Sequence, residues 1–153
     1  MNSTPKHGDL SVTVGAPAIA AIRHLGLRGQ VRVRVVGDAE MAAAHLEFCD
    51  VEGTTDVLTF DMSSERDADG RPVLDVDILA CADEAARQGA ARGHSLEREL
   101  LLYIVHGLMH CLGHDDHDEA AAAAMHAEED RVLTAIGVGA TYGVPERAGG
   151  GAP

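Results

Sequence analysis

Tryptophan is absent from this chain of 153 residues, which has only two tyrosines and two phenylalanines. Its apolar content is ordinary for a globular protein, but much of it is alanine. No apolar run approaches the roughly 20 residues a membrane span needs, so a transmembrane helix is excluded. The opening MNSTPKHGDL lacks an apolar core, and a secretory signal is not expected. The three cysteines, Cys49, Cys81 and Cys111, are odd in number, widely spaced and form no CxxC pair. They support neither a disulfide frame nor a cysteine-rich zinc knuckle, and a reducing, cytoplasmic setting is expected. Positive charge is scarce too, with a formal net charge of −13. That balance argues against broad, non-specific binding to nucleic acid, because phosphates are repelled over most of the surface. The deficit is uneven: residues 1–36 carry Lys6, Arg23, Arg28, Arg32 and Arg34 against Asp9 alone. An RNA contact is therefore expected from this N-terminal third and from scattered arginines such as Arg98.

The length suits a single domain with a real core. Residues 1–8 read as a flexible tail, 9–140 as the domain and 141–153 as a disordered tail. Strands are expected at Leu10–Val14, Val31–Val36, Thr55–Phe60 and Val73–Leu79, where β-branched and apolar residues alternate. Pro17 opens a first helix that Gly26 and Gly29 end, and Asp38 is placed to cap a helix of Ala39 to Leu46. Cys49 to Thr54 and Ser63 to Pro72 read as loops. Helices follow at Ala82–Arg92, stopped by Gly93, and from Ser95, a capping residue, through Val105 and beyond. A last, alanine-rich helix begins at Asp118 and runs to about Ile136. The order implies an α/β (α+β) domain: a small mixed four-stranded sheet packed with helices.

The chemistry gathers in His106-Gly-Leu-Met-His110-Cys-Leu-Gly113-His-Asp-Asp-His117. Two histidines four residues apart project from one helix face and can share a divalent ion. Gly113 suits the sharp exit from the helix, and the turn returns His114, Asp115, Asp116 and His117 toward that ion. Two ligands from a helix and one from the next turn leave a position open for water, as in catalytic zinc sites. Zinc is the expected ion. Either Asp116 or His117 can be the third ligand, with Asp115 or the unused member of that pair moving a proton. HxxxH-xx-G is also the pattern of zincin proteases, but those carry a glutamate after the first histidine where this chain has Gly107.

HGLMHCLGHDDH resembles the signature of the YbeY family, H-G-x-L-H-L-x-G-[YF]-D-H. Thr55-Asp-Val-Leu-Thr-Phe60 is similar to that family's T-[DN]-V-L-S-F strand, and Leu74 to Ile78 to its L-G-D-I strand. Gly93 to Leu100 and Met125 to Leu133 resemble its flanking helices. The resemblance covers roughly residues 10–137. It implies a zincin-like metal helix and a single-strand-specific endoribonuclease with one zinc ion, held by His106, His110 and His117 or Asp116. It further implies a role in maturing small-subunit (16S) ribosomal RNA and in ribosome quality control, with the small ribosomal subunit as partner. His106, His110, His117 and Asp115 are then the catalytic set. An ungapped match puts Asp116 at the third-ligand position. One inserted residue puts His117 there, and that alternative is preferred. His45 and Cys49 stand where the family tends to carry an asparagine and an arginine. Two other readings stand beside this one: a zinc-stabilised, non-catalytic assembly factor docking on a basic ribosomal protein, and a metal-dependent peptide hydrolase.

Overall fold

A computed structural model describes residues 16–139 and 141. The expected strand at Leu10–Val14 and both tails, apart from Thr141, lie outside the described residues. Within them the chain forms five helices and a mixed four-stranded sheet. In order these are α1 (Ala16–His24), β1 (Arg28–Val36), α2 (Asp38–Cys49), β2 (Val57–Asp61), β3 (Glu65–Arg66), β4 (Pro72–Cys81), α3 (Ala82–Arg92), α4 (Leu96–Cys111) and α5 (Glu119–Ala135). None of these helices is long and apolar enough to cross a membrane.

β4 is the spine of the sheet. It runs parallel to β1, with Arg32 opposite Asp77, and antiparallel to β2, with Thr59 opposite Ile78. Period-two alternation divides its side chains between two faces. Leu74, Val76, Ile78 and Ala80 join the main core with Leu100 to Val105, Leu108 and Met109 of α4 and Met125, Val132 and Leu133 of α5. Leu79 and Cys81 face the other way, where Met41 of α2 closes over them with Val36 and Leu58. Farther along that second face, Arg32 bridges Asp75 and Asp77 at 2.6 and 2.5 Å. Asp77 is thus a structural acceptor in this fold.

Helix α4 is held at both ends by the residues its sequence suggests. Ser95 Oγ accepts from the Arg98 amide at 3.1 Å, meeting one of the donors a helix start leaves unpaired. At the far end Gly113 adopts φ +98°, which turns the chain out of the helix without a Cβ clash. Ten of its sixteen residues are buried, so it is a core helix with one chemically active end. Gly107 lies where α4 meets the sheet: a Cβ there would come within 2.6 Å of Thr59 Oγ1.

Four expectations are corrected. Asp38 does not cap α2; Gly37 is the cap, and Asp38 opens the helix with its carboxylate turned to Arg87 and the Cys81 thiol. That helix also runs three residues beyond Leu46, to Cys49. Gly29 ends no helix but sits in β1, where any Cβ would come within 2.2 Å of the Leu74 carbonyl oxygen. The Ser63–Pro72 loop contains β3, paired with Pro72 and Val73 across a turn in which Asp67 Oδ1 accepts from the amides of Asp69 and Arg71.

Candidate metal centre

The last two turns of α4 carry His106 and His110 with their rings edge to face, centroids 4.7 Å apart. Their Nε2 atoms are 3.1 Å from each other. Each opposite nitrogen is already engaged: His106 Nδ1 lies 2.6 Å from Glu129 Oε2, and His110 Nδ1 lies 3.1 Å from the His114 carbonyl oxygen. Both partners are acceptors, so the ring protons belong on Nδ1 and both Nε2 lone pairs face inward. Two lone pairs at that distance repel unless a proton or a metal ion lies between them. Tetrahedral zinc with bonds of about 2.0–2.1 Å would separate such nitrogens by about 3.3 Å, close to the spacing here.

Asp116 comes from the turn after Gly113 and places Oδ2 3.9 Å from His106 Nε2. Among the described residues, one ligand atom each from His106, His110 and Asp116 fall within 4.8 Å of one another, the one group with the makings of a metal site. His117, the preferred third ligand from sequence, stands outside this group. Its side chain is 86% exposed, and its Nδ1 lies 3.6 Å from Asp115 Oδ1. Asp115 Oδ1 also accepts from the His117 amide at 3.2 Å, so these two residues shape the turn. His114 contributes its carbonyl rather than its ring. Of the two candidates, Asp116, at the ungapped position, is the one that lies beside the two histidines here.

Glu129 joins the site from α5, 23 residues along the chain from His106. It is fully buried on α5, and its second oxygen is 3.1 Å from His126 Nδ1. A carboxylate on the far nitrogen of a metal-binding histidine fixes the ring and raises its basicity. Burial alone would lower the His106 pKa, but Glu129, with help from Asp56 and Asp116, outweighs it and the net shift is upward. The signal was available: Glu129 falls four residues after Met125 and three before Val132, on the buried stripe of α5.

Two clefts meet at His106. One, of ≈ 380 Å³, runs along β2 past Asp56, Leu58, Thr59 and Asp61 to His110 and Cys111. The other, of ≈ 330 Å³, lies between α3 and α4 and includes Glu84, Tyr103 and Asp116. Asp56 lines both, whereas Asp115 and His117 line neither. Burial pushes the Cys111 thiol up to about 12, which leaves it protonated and unreactive. Of the arginines considered for RNA, Arg32 is spent on Asp75 and Asp77, Arg34 pairs with Glu40, and Arg98 donates to the Gly139 carbonyl. Cys49 is exposed and free.

Residues 16–137 match the family model described as endoribonuclease YbeY. The endoribonuclease YbeY of Micrococcus luteus is 38% identical over 119 residues, covering 74% of each chain. That of Methylibium petroleiphilum is 36% identical over 118 residues, 77% of this chain and 75% of the other. That of Acidothermus cellulolyticus is 36% identical over 114 residues, 69% of this chain and 70% of the other. A solution structure of TM1509 from Thermotoga maritima shares 20% identity with a TM-score of 0.49, over 88% of this chain and 87% of that one. By the family match and these relatives, the chain belongs to the endoribonuclease YbeY family.

Proposed function

We propose that this protein is an endoribonuclease that cuts single-stranded RNA with one zinc ion held by His106, His110 and Asp116. One observation carries the metal: two inward-facing Nε2 atoms 3.1 Å apart, each with its other nitrogen already committed. The family relationship carries the substrate class. Zinc bound there would supply Lewis acidity and a water acidic enough to ionise near neutral pH.

The chain's own residues set up the rest. Glu129 keeps His106 in the tautomer that offers Nε2, and the His114 carbonyl does the same for His110. Asp56, shared by both clefts, is the carboxylate we assign to accept a proton from the attacking water. It replaces Asp115 in that role, since Asp115 is turned to His117. The biological setting we infer is maturation of small-subunit ribosomal RNA on or near the small ribosomal subunit, in the cytoplasm.

A peptide-hydrolase reading draws on one observation: β2 is an edge strand among the described residues, and its Val57 to Thr59 line the larger cleft. An extended peptide could pair with such an edge. Against it, Thr59 Oγ1 fills the place where any side chain at position 107 would begin, so no general-base glutamate fits there.

The test is incubation of the purified protein with single-stranded RNA, duplex RNA and casein, with metal content measured in the same sample. We expect cleavage of the single strand alone, loss on chelation and recovery with zinc. Cleavage of casein instead, or RNA cleavage indifferent to chelation, overturns the proposal.

A further inference from the structure

In a chain with two phenylalanines and no tryptophan, both phenylalanines meet at one surface slot. Phe48 comes from the last turn of α2 and Phe60 from β2, their rings edge to face with centroids 5.2 Å apart. Phe48 is 59% exposed, and Met62, which lines the same slot, is 48% exposed. Large apolar side chains gathered at one place in contact with water mark a surface that another group covers.

The slot lies one strand away from the metal centre. Phe60 stands opposite Asp77 on the sheet face turned away from α4. Its neighbours Thr59 and Asp61 point to the other face, where they line the cleft that contains His106 and His110. Among the described residues β2 is an edge strand, so nothing bars a flexible chain from passing out of the metal cleft, round that edge and into the slot.

Charge limits what the slot can hold. Its polar wall is Arg32, Arg34 and Asp77. Arg32 donates to Asp77, Asp75 and Gln30 at 2.5, 2.6 and 2.8 Å. Such bonds lie in the plane of the guanidinium, so they fix that plane and leave its faces free to stack. Arg34 pairs with Glu40. The charges are thus matched within the protein, and the slot favours a flat, uncharged ring over a phosphate or a charged side chain. A chain with a net charge of −13 is also poorly made to grip RNA by its phosphates. Stacking on aromatic rings and guanidinium planes needs no excess of positive charge. The volume, ≈ 480 Å³, is on the scale of small-ligand sites.

We propose that this slot takes a base of the RNA strand being cut, stacked against Phe48 and the guanidinium of Arg32. The proposal rests on the endoribonuclease reading. Every base has a π-face, so the slot anchors the strand without reading its sequence. It also favours single strands, because a base held in a duplex cannot splay out into it.

Phe48→Trp creates a protein with one tryptophan, since the chain has none. An uncleavable 2′-O-methyl RNA single strand should quench its emission saturably. The same strand with one abasic residue, at a fixed offset from the cut, should not. Phe48→Leu keeps an apolar side chain and loses the ring. It should raise KM for single-stranded RNA about tenfold, with zinc content and melting temperature as in the wild type, and Phe48→Tyr should restore the wild-type KM. A wild-type KM in Phe48→Leu, or tryptophan emission indifferent to bound RNA, overturns the slot and leaves the nuclease standing. Emission that shifts with protein concentration alone assigns the face to a second copy of this chain and overturns the slot as well. Absence of any RNA cleavage or binding by the wild-type protein overturns both.

Discussion

Two carboxylates are sealed from solvent among the described residues, and they make an instructive pair. Glu99, near the start of α4, reaches Arg92 with one oxygen at 3.0 Å and His94 with the other at 2.9 Å. Glu129, on α5 near the end of α4, reaches His106 at 2.6 Å and His126 at 3.1 Å. Both are fully buried and doubly bonded. The difference lies in the partner. Arg92 is a permanent cation with no lone pair to offer, and the second ring nitrogen of His94 belongs to no ligand group among the described residues, so the Glu99 cluster serves only to tie the end of α3 to α4. An imidazole has a second nitrogen, and the Glu129 cluster passes its effect through His106 to whatever Nε2 holds. Identical burial and valence therefore serve the fold at one end of the helix and the chemistry at the other.

The largest effect should come from the ligands that the Glu129 end supports. His106→Ala, His110→Ala and Asp116→Ala should each lower zinc affinity by about a thousandfold, more than the 10–100-fold cost of losing an outer partner. His117→Ala should stay within about twofold. Competition against a chelator of known affinity measures all four. A His117→Ala loss equal to the other three would restore the inserted register and remove Asp116 from the site.

Next comes the pair itself. Glu129→Gln should cost about 10–100-fold in zinc affinity and RNA cleavage. Glu99→Gln should leave zinc affinity within about twofold while lowering stability by about 2 kcal/mol, the scale of hydrogen bonds to charged groups. Urea unfolding and zinc titration on the same two variants decide the matter. Equal losses of metal affinity would mean that the ends of α4 are not functionally distinct.

How much of this was legible in the sequence follows from how local each feature is. The span of α4, the Ser95 cap and the Gly113 exit are local, and the structure has all three. The Asp118 cap, which accepts from the Ala121 amide, is local too. The third ligand was not settled, because after Gly113 no periodicity constrains the backbone and one residue exchanges Asp116 for His117. Glu129 lies 23 residues from its histidine, and no spacing rule spans that distance. What marked it was a charge on an apolar stripe, at the place of a core residue between Met125 and Val132. Asp38 failed as a cap for a tertiary reason: Arg87, 49 residues away, claims its carboxylate. Gly107 was read as a missing general base. Its contact with Thr59 adds the packing reason, which only the helix-on-sheet approach reveals.

The smallest effect belongs to a carboxylate outside the buried pair, and it tests whether burial is what separates the classes. Asp38 accepts from the Arg87 guanidinium at 2.9 and 2.7 Å, which joins α2 to α3, but its side chain is 42% exposed. Hydrogen bonding from Arg87 holds its pKa at about 2, below its ordinary 3.8. A folded-state pKa below the unfolded one means stability that is present above the unfolded value and lost as pH falls through the folded value. The contribution should therefore be whole above about pH 4, fade toward pH 2 and vanish below it. Asp38→Asn should melt slightly lower than wild type at pH 5 to 6, converge with it near pH 2, and leave zinc affinity untouched. Added salt should shrink the gap, as screening does for exposed pairs and not for buried ones. An acid limb that Asp38→Asn does not change would mean that this exposed arginine pair contributes nothing to the acid sensitivity of the fold.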